Sequence, residues 1–488
     1  MVYQSTQDRD VSASQSSYKL DDAINHIDFG RFHIKFLCLV GLTYMATACD
    51  VGMISVIGPS LKCYMGFDSL QIGLLSSAYF LPRIIGQAKF GEFADRFGRR
   101  PIIMLLNVWH FFYVFLIIFC PNSFWLMLLR LVSGASVSRR VMVGLFSEFL
   151  KPQHRKLLIL QQLFWIIGSG TRFLLGAAVI PWLGWRSYVA CTAILYFLVM
   201  IISWSFLPES ARFYNVTGQV HMAEKVLQKV ARSNNSSLPP GRLEKLKEQK
   251  RRGRLMELFR PAYRWVTIRV WLLFFCGIFT YYGIYVGSTD LVQVSGVSFM
   301  NERNESMNDL EASCSLSFNI DSFMLLSIAS FGELVGVPLN IWLVERVGRP
   351  YTLSLNSFIS ALSFLMMAFF TGKVMLTFWL VGALAFTAGI FTILHMYALE
   401  VYPTSLRGIG VGSSMAVGMV GAAISPLATQ VLMHKNRESA LFILTATSAI
   451  CCLIPLTHMK ETRGENMEDF TRLIEEEETE FINQQFQK

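Results

Sequence analysis

Charge is scarce in this sequence. Asp, Glu, Lys and Arg make up 16% of its 488 residues and hydrophobic residues 53%, against roughly 25% charged in a typical soluble domain. That shortage excludes an ordinary soluble globular protein. Metal-ligand spacings, a phosphate-cradling glycine loop and a nucleophile motif are also missing, so the reading is of a non-enzyme with no cofactor and no metal site. The first 30 residues are polar and Ser-rich, without an apolar core. No cleavable signal peptide is expected, and the first span is left to act as the signal. Cysteine is sparse outside apolar stretches. Of nine, Cys38, Cys49, Cys191, Cys276, Cys451 and Cys452 fall in spans and read as reduced, small hydrophobes. Cys63, Cys120 and Cys314 map to the outer face, where one pair among the three is conceivable and the sequence does not assign it.

What the sequence has instead is apolar length. Stretches of about 20 residues recur, each long enough to cross a hydrocarbon core about 30 Å thick. Twelve spans are expected, near 36–58, 70–90, 101–120, 124–146, 158–180, 188–207, 266–287, 322–344, 351–370, 374–396, 409–432 and 439–458. They predict an all-α membrane protein in five parts. A cytoplasmic segment at 1–35 precedes a six-helix half at 36–207, and a cytoplasmic linker at 208–265 precedes a second six-helix half at 266–458. An acidic cytoplasmic tail at 459–488 ends the chain.

Lys and Arg set the orientation. The 208–264 gap carries 13 of them, and the 288–321 loop carries one, Arg303. The gap and both termini are therefore expected in the cytoplasm. The net charge of +9 then reads as a topology signal, with the bilayer and not nucleic acid as partner. Residues 245–254 read as a solvated helix facing anionic headgroups, and 475–478 as a solvated, disordered tail. On this topology Asn304-Glu305-Ser306 is the glycosylation sequon of the outer side, whereas those at Asn215 and Asn234 stay unmodified.

A set of charged patterns occurs twice, at an offset of 250–252 positions. Gly91, Asp95, Arg96, Gly98, Arg99 and Arg100 form a turn after the second span; Glu345, Arg346, Gly348 and Arg349 repeat it after the eighth. Glu148 with Arg155 returns as Glu400 with Arg407, and Pro208-Glu209-Ser210-Ala211-Arg212 returns more loosely as Lys460-Glu461-Thr462-Arg463. Three markers in one order identify a duplicated unit, the usual build of a secondary transporter. Gly91 and Gly98 are expected to permit close helix approach and a tight turn. The charges are expected to form a cytoplasmic gate that locks one arrangement of the halves; plain topology anchoring is the alternative.

These motifs resemble the major facilitator superfamily, through the G-x-x-x-D-R-x-G-R-R turn, the repeated E-x7-R pair and P-E-S-A-R. Within it the resemblance is to the branch of sugar porters and organic ion transporters, and in that branch to the synaptic-vesicle-two-related group. The residues are Asp21-Asp22-Ala23-Ile24, Phe29-Gly30-Arg31-Phe32, Phe164-Trp165-Ile166-Ile167-Gly168, Gly184-Trp185-Arg186, Tyr281-Tyr282-Gly283 and Glu400-Val401-Tyr402-Pro403-Thr404, within roughly 20–465. The resemblance implies twelve transmembrane helices in two pseudo-symmetric halves. It also implies a monomer that moves a small polar or charged organic solute by alternating access, in a vesicle or the plasma membrane. The rival it carries is a vesicle-membrane binding or scaffold protein that keeps the fold without transporting.

Charges inside the spans are the candidate working parts, because a charge near the midplane is costly unless it faces a cavity or a partner. Asp50, in Cys49-Asp50-Val51-Gly52-Met53-Ile54-Ser55, resembles the first-span Asp that sugar porters associate with proton coupling, and Arg130 stands where its partner Arg does. Proton coupling and a static ion pair are both open readings. Arg83 and Glu333 are equivalent positions of the two halves, expected to face one cavity, with Arg172 placed to neutralise Glu333. Arg139 and Arg140 depart from the resembled family. Adjacent helical residues point about 100° apart, so both cannot face one ligand optimally; an anion-attracting cavity, snorkelling and pairing with an acid elsewhere are all open. Trp165, Tyr281, Tyr282 and Tyr397 either line the path or pack, and His395 either titrates or sits satisfied in the core. Tyr281-Tyr282-Gly283 is expected to break the seventh span.

Overall fold

The computed structural model describes residues 17–245, 255–301, 320–370, 372–403, 406–459 and 461. The apolar runs fold as helices, because in hydrocarbon each backbone amide must be satisfied within its own segment. The first three spans are Arg31–Met65, Ser69–Phe97 and Arg99–Ile117, and the fourth is made of Ser123–Gly134 and Ser138–Glu148. Leu160–Phe206 is bent at Gly184, whose φ is 76°, and so forms the fifth and sixth. Then come Pro261–Asn301, Ile320–Arg346, Arg349–Phe369, Lys373–Val401, Arg407–Lys435 and Arg437–His458. Among the described residues nine helices are long and apolar enough to cross a membrane. The bend at Gly184 splits one of these; Ser69–Phe97 and the broken fourth span complete twelve. Ile85, Trp182, Val335 and Val374 point outward, as surfaces facing lipid require.

The halves repeat one another down to their helix caps. Gly98 and Gly348 take φ of 99° and 96°, a region open to glycine and strained for other residues. In the first half Glu209 accepts from the Arg99 N–H at 2.9 Å and the Arg100 N–H at 3.2 Å. In the second, Glu461 accepts from the Arg349 N–H at 3.2 Å. A carboxylate thus neutralises the positive end of the third and the ninth span alike.

Helix breaks fall where the sequence did not mark them. The first span stops at Val51 and restarts at Met53, the fourth is interrupted at 135–137, and the eighth turns at Gly332. The break expected at Tyr281-Tyr282-Gly283 does not occur, since Pro261–Asn301 is one helix. A Cβ on Gly283 would stand 2.9 Å from Leu444 and 3.1 Å from Thr429, so that glycine serves close packing.

The segment before the first span and the linker pack together. Ser17–Tyr18 pairs in parallel with Arg242–Leu243, and the Phe32 N–H donates to Asn234 Oδ1 at 2.8 Å. Both linker sequon residues are engaged in the fold, since Asn215 Nδ2 donates to the Glu244 carbonyl at 2.9 Å. The linker, the Gly98 and Gly348 turns and the start of the first span share one face, called here the basic face. Cys63, near the other face, is disulfide-bonded and Cys120 is free. Cys314, Asn304, the run 246–254 and the acidic tail lie outside the described residues.

Candidate functional site

Asp50 is the penultimate residue of the helix Arg31–Val51 and is wholly buried. Arg130, on the fourth span, donates through Nη1 to Asp50 Oδ1 at 2.7 Å and through Nη2 to the Asp50 carbonyl at 3.1 Å. His110, on the third, places Nε2 2.8 Å from Oδ2. A buried carboxylate is tolerated only when paired and hydrogen-bonded, and here both oxygens are met. The Tyr79 ring lies 4.4 Å from the Arg130 guanidinium, and Tyr196 stacks on His110 at 4.3 Å. The Asp50–Arg130 pair was legible from the motif. His110 was not, because a single histidine in an apolar span carries no pattern.

Arg83 and Glu333 do not share a cavity. Arg83 donates to the Tyr79 hydroxyl at 2.8 Å and to the Ser136 and Gly134 carbonyls at 3.3 and 3.4 Å, all within the first half. Glu333 begins the helix Glu333–Arg346, is wholly buried, and has no hydrogen bond to either carboxylate oxygen among the described residues. The expected Arg172–Glu333 ion pair is not formed. Arg172 instead donates to the Tyr285 carbonyl at 3.0 Å and lies 3.7 Å over the Tyr285 ring. It fills the space beside Gly52, where a Cβ would overlap Nη1.

A cavity of about 500 Å³ lies between the halves. Trp165, Tyr281, Tyr282 and Phe391 wall it, and Arg139, Arg140 and His395 bring it charge and polarity. Val143, Leu158, Leu399 and Val411, near the basic-face ends of their spans, carry it toward that face. Trp165 Nε1 donates to the Tyr281 hydroxyl at 2.6 Å and ties the fifth span to the seventh. Tyr397 is buried away from the cavity. Arg139 and Arg140 reach the same cavity despite their angular separation, because both long side chains leave the first turn of Ser138–Glu148, just past the break.

The halves also meet at the face opposite the basic one. Lys62 Nζ lies 3.3 Å from Asp290 Oδ1, His434 Nε2 2.8 Å from the same oxygen, and Gln430 Nε2 donates to Asp290 Oδ2 at 3.0 Å. Nothing in the local sequence points to this cluster. At the basic face the repeated charges form two clamps, each inside one half. Arg99 pairs with Glu148 at 2.9 Å and Asp95 at 3.7 Å, and Arg349 pairs with Glu400 at 2.8 Å.

The expected lock between the halves is therefore not what these pairs form; each holds neighbouring spans of its own half. The other members of the repeat divide. Arg96 lies over the Phe97 ring, Arg212 pairs with Asp21 at 2.9 Å, and Arg100 contributes its backbone N–H to Glu209. Glu345 and Arg346 are exposed, Arg407 opens the eleventh span, and the Arg155 side chain lies outside the described residues. A Cβ on Gly91 would touch nothing within 4 Å, so close helix approach is not its role.

Comparison with known proteins agrees with this architecture. Residues 2–474 match the family described as Sugar (and other) transporter. The chain is 31% identical over 449 residues to the synaptic vesicle 2-related protein of Bos taurus, spanning 91% of this chain and 80% of that one. It is 31% identical over 461 residues to the putative transporter SVOPL of Mus musculus, spanning 92% of each. Among solved structures the inward open xylose transporter XylE of E. coli aligns with a TM-score of 0.66 at 17% identity, over 90% of this chain and 99% of that one; this likeness speaks to the fold. Fold, duplicated caps and family match agree that this chain belongs to the sugar (and other) transporter family of the major facilitator superfamily, a multi-pass membrane transporter and not an enzyme.

Proposed function

We propose that this protein moves a small polar or charged organic solute by alternating access, coupled to protons through Asp50 and Arg130. One observation carries the reading: the buried Asp50 carboxylate, bracketed by Arg130 and His110, beside a small void that Arg83, His110, Arg139 and Arg140 line. Asp50 is stable as an anion while Arg130 faces it. If the first span moves against the fourth, the carboxylate is left in a low-dielectric site without its cation, and taking up a proton relieves that cost. Closing the pair again expels the proton. His110 holds the second carboxylate oxygen and lies on the same void, so it is the group through which the proton reaches Asp50.

The disposition of the halves supports alternating access. They are joined opposite the basic face by the Lys62–Asp290 cluster, while the cavity extends to the basic face, which the positive-inside rule assigns to the cytoplasm. Arg139 and Arg140 line the cavity without filling it, which favours transport over the non-transporting binding role. Each monomer carries a whole cavity.

Uptake by proteoliposomes, screened over labelled organic cations, anions and sugars with and without an inward pH gradient, tests the proposal. Gradient-driven uptake should vanish in Asp50→Asn and persist in Glu333→Gln. Persistence in Asp50→Asn with loss in Glu333→Gln would move the coupling to the eighth span and overturn the role given to Asp50.

A further inference from the structure

The cavity between the halves has one sign of charge. Among the described residues its lining includes two guanidinium groups and the His395 imidazole, and no carboxylate. Among the described residues neither Arg139 nor Arg140 forms an ion pair: every acid near this depth is taken or turned away. Asp50 is held by Arg130 and His110, and Glu333 does not line the cavity. Arg139 is fixed by its neighbours, its guanidinium 4.7 Å from the Tyr44 ring and 4.9 Å from the Trp165 ring. Arg140 is different. It lines the central cavity, the small void beside Asp50 and a recess of about 220 Å³ that runs along Gly91, Asp95 and Arg99 toward the basic face. It therefore stands where a solute passes, with its donors uncommitted. Both arginines leave the first turn of Ser138–Glu148, a helix that begins without a side-chain cap, and the positive end of its peptide dipoles adds to their charge.

Beside these cations the walls are flat and apolar. The lining includes the aromatic side chains of Trp165, Tyr281, Tyr282 and Phe391, and the polar groups on the walls, such as Gln161 and Thr392, are few and uncharged. Two guanidinium groups repel a cationic solute, and such walls offer few partners to the many hydroxyls of a sugar. They suit a solute with one anionic group for a planar guanidinium to grip and a ring to stack on aromatic faces. Volume does not limit this, since about 500 Å³ falls in the range of sites for drug-sized ligands.

We infer that the central cavity binds an organic anion with a flat apolar body, an aromatic carboxylate being its simplest form, gripped by Arg140 beside Arg139 and stacked on the aromatic wall. The inference deepens the transport reading of the same cavity and rests on it for its physiological meaning, but the binding chemistry stands by itself.

Three probes of one shape separate the alternatives: 2-naphthoate, 2-naphthamide and 2-naphthylmethylammonium, titrated against the purified full-length protein and followed by naphthalene fluorescence. The carboxylate should bind at least tenfold more tightly than the amide, and the ammonium more weakly than either. Arg140→Gln should erase the preference of carboxylate over amide while leaving amide binding in place, and Arg140→Lys, which keeps the charge, should retain part of it. Retained amide binding shows that the variant is folded. Equal binding of carboxylate and amide, tighter binding of the ammonium, an unchanged preference in Arg140→Gln, or no carboxylate binding would each overturn the inference. Uptake by proteoliposomes separates this result from the transport reading. Carboxylate binding without uptake of any solute sinks transport and leaves the site; uptake of sugars or cations without carboxylate binding does the reverse.

Discussion

Glu209 and Glu461 do the same work at equivalent places of the two halves. Just past a left-handed glycine, Glu209 accepts from the Arg99 and Arg100 N–H groups and Glu461 from the Arg349 N–H, and a Cβ on Gly98 would stand 2.5 Å from Glu209 Oε2. Charge-assisted bonds to backbone amides are stronger than neutral ones, so losing the charge in Glu209→Gln should cost about 1–2 kcal/mol. Glu461→Gln should cost a similar amount. Because the two caps lie in separate halves and share no partner, the double variant should lower the apparent melting temperature by the sum of the single shifts. Non-additive shifts, read by thermal unfolding in detergent, would mean that the caps communicate. These positions were legible in the sequence because glycine, arginine and glutamate recur in register, and the register reports the duplication. His110 and Lys62 were not, since their partners lie on other spans and no local pattern marks them.

Helix length was readable at the scale of the element, and helix interruption was not. Apolar runs locate all twelve spans, because burial in lipid demands length and little else. The break at 135–137 depends on what the fourth span meets. A Cβ on Gly134 would overlap the Tyr79 carbonyl of the second span, and one on Gly86 would overlap the Ala135 carbonyl, so the two helices touch backbone to backbone. Tertiary contact decides such a feature, just as it cancels the break expected at Gly283. Gly134→Val must push the second and fourth spans apart, at about 1–3 kcal/mol or more for overpacking. It should also cut uptake, since Arg130 and Arg139 lie on either side of the break. Gly91→Ala, with open space around its Cβ, should leave the melting temperature at the wild-type value. If both variants melt like the wild type, the close approach of these spans is not what holds the break.

At the scale of the whole molecule, the sequence shows two halves but not how they lean on one another. Lys62, Asp290, Gln430 and His434 come from three spans and meet only after folding, so their joint role could not be read from spacing. Lys62 and Asp290 are 11% and 7% exposed, and removing either leaves the other nearly buried charge with His434 as its remaining ionisable neighbour in the closed arrangement. Losses of about 3–5 kcal/mol are typical for fully buried pairs, and every 1.4 kcal/mol moves a two-state equilibrium about tenfold. Even a part of that range suffices to populate the arrangement open at the opposite face. Spin labels at Tyr64 and Lys435, on the rims of the two halves, report the separation directly. Asp290→Asn should lengthen the distance between them in a new population, and Lys62→Gln should do the same. Asp28→Asn, which touches only the pair with Lys151 at the basic face, should leave the distribution as in the wild type. A distribution unchanged by either cluster variant would assign the closed face to apolar packing instead, such as that of Leu427 and Val431 on the second span at Gly73, and the charges would then guide assembly of the halves without holding them shut.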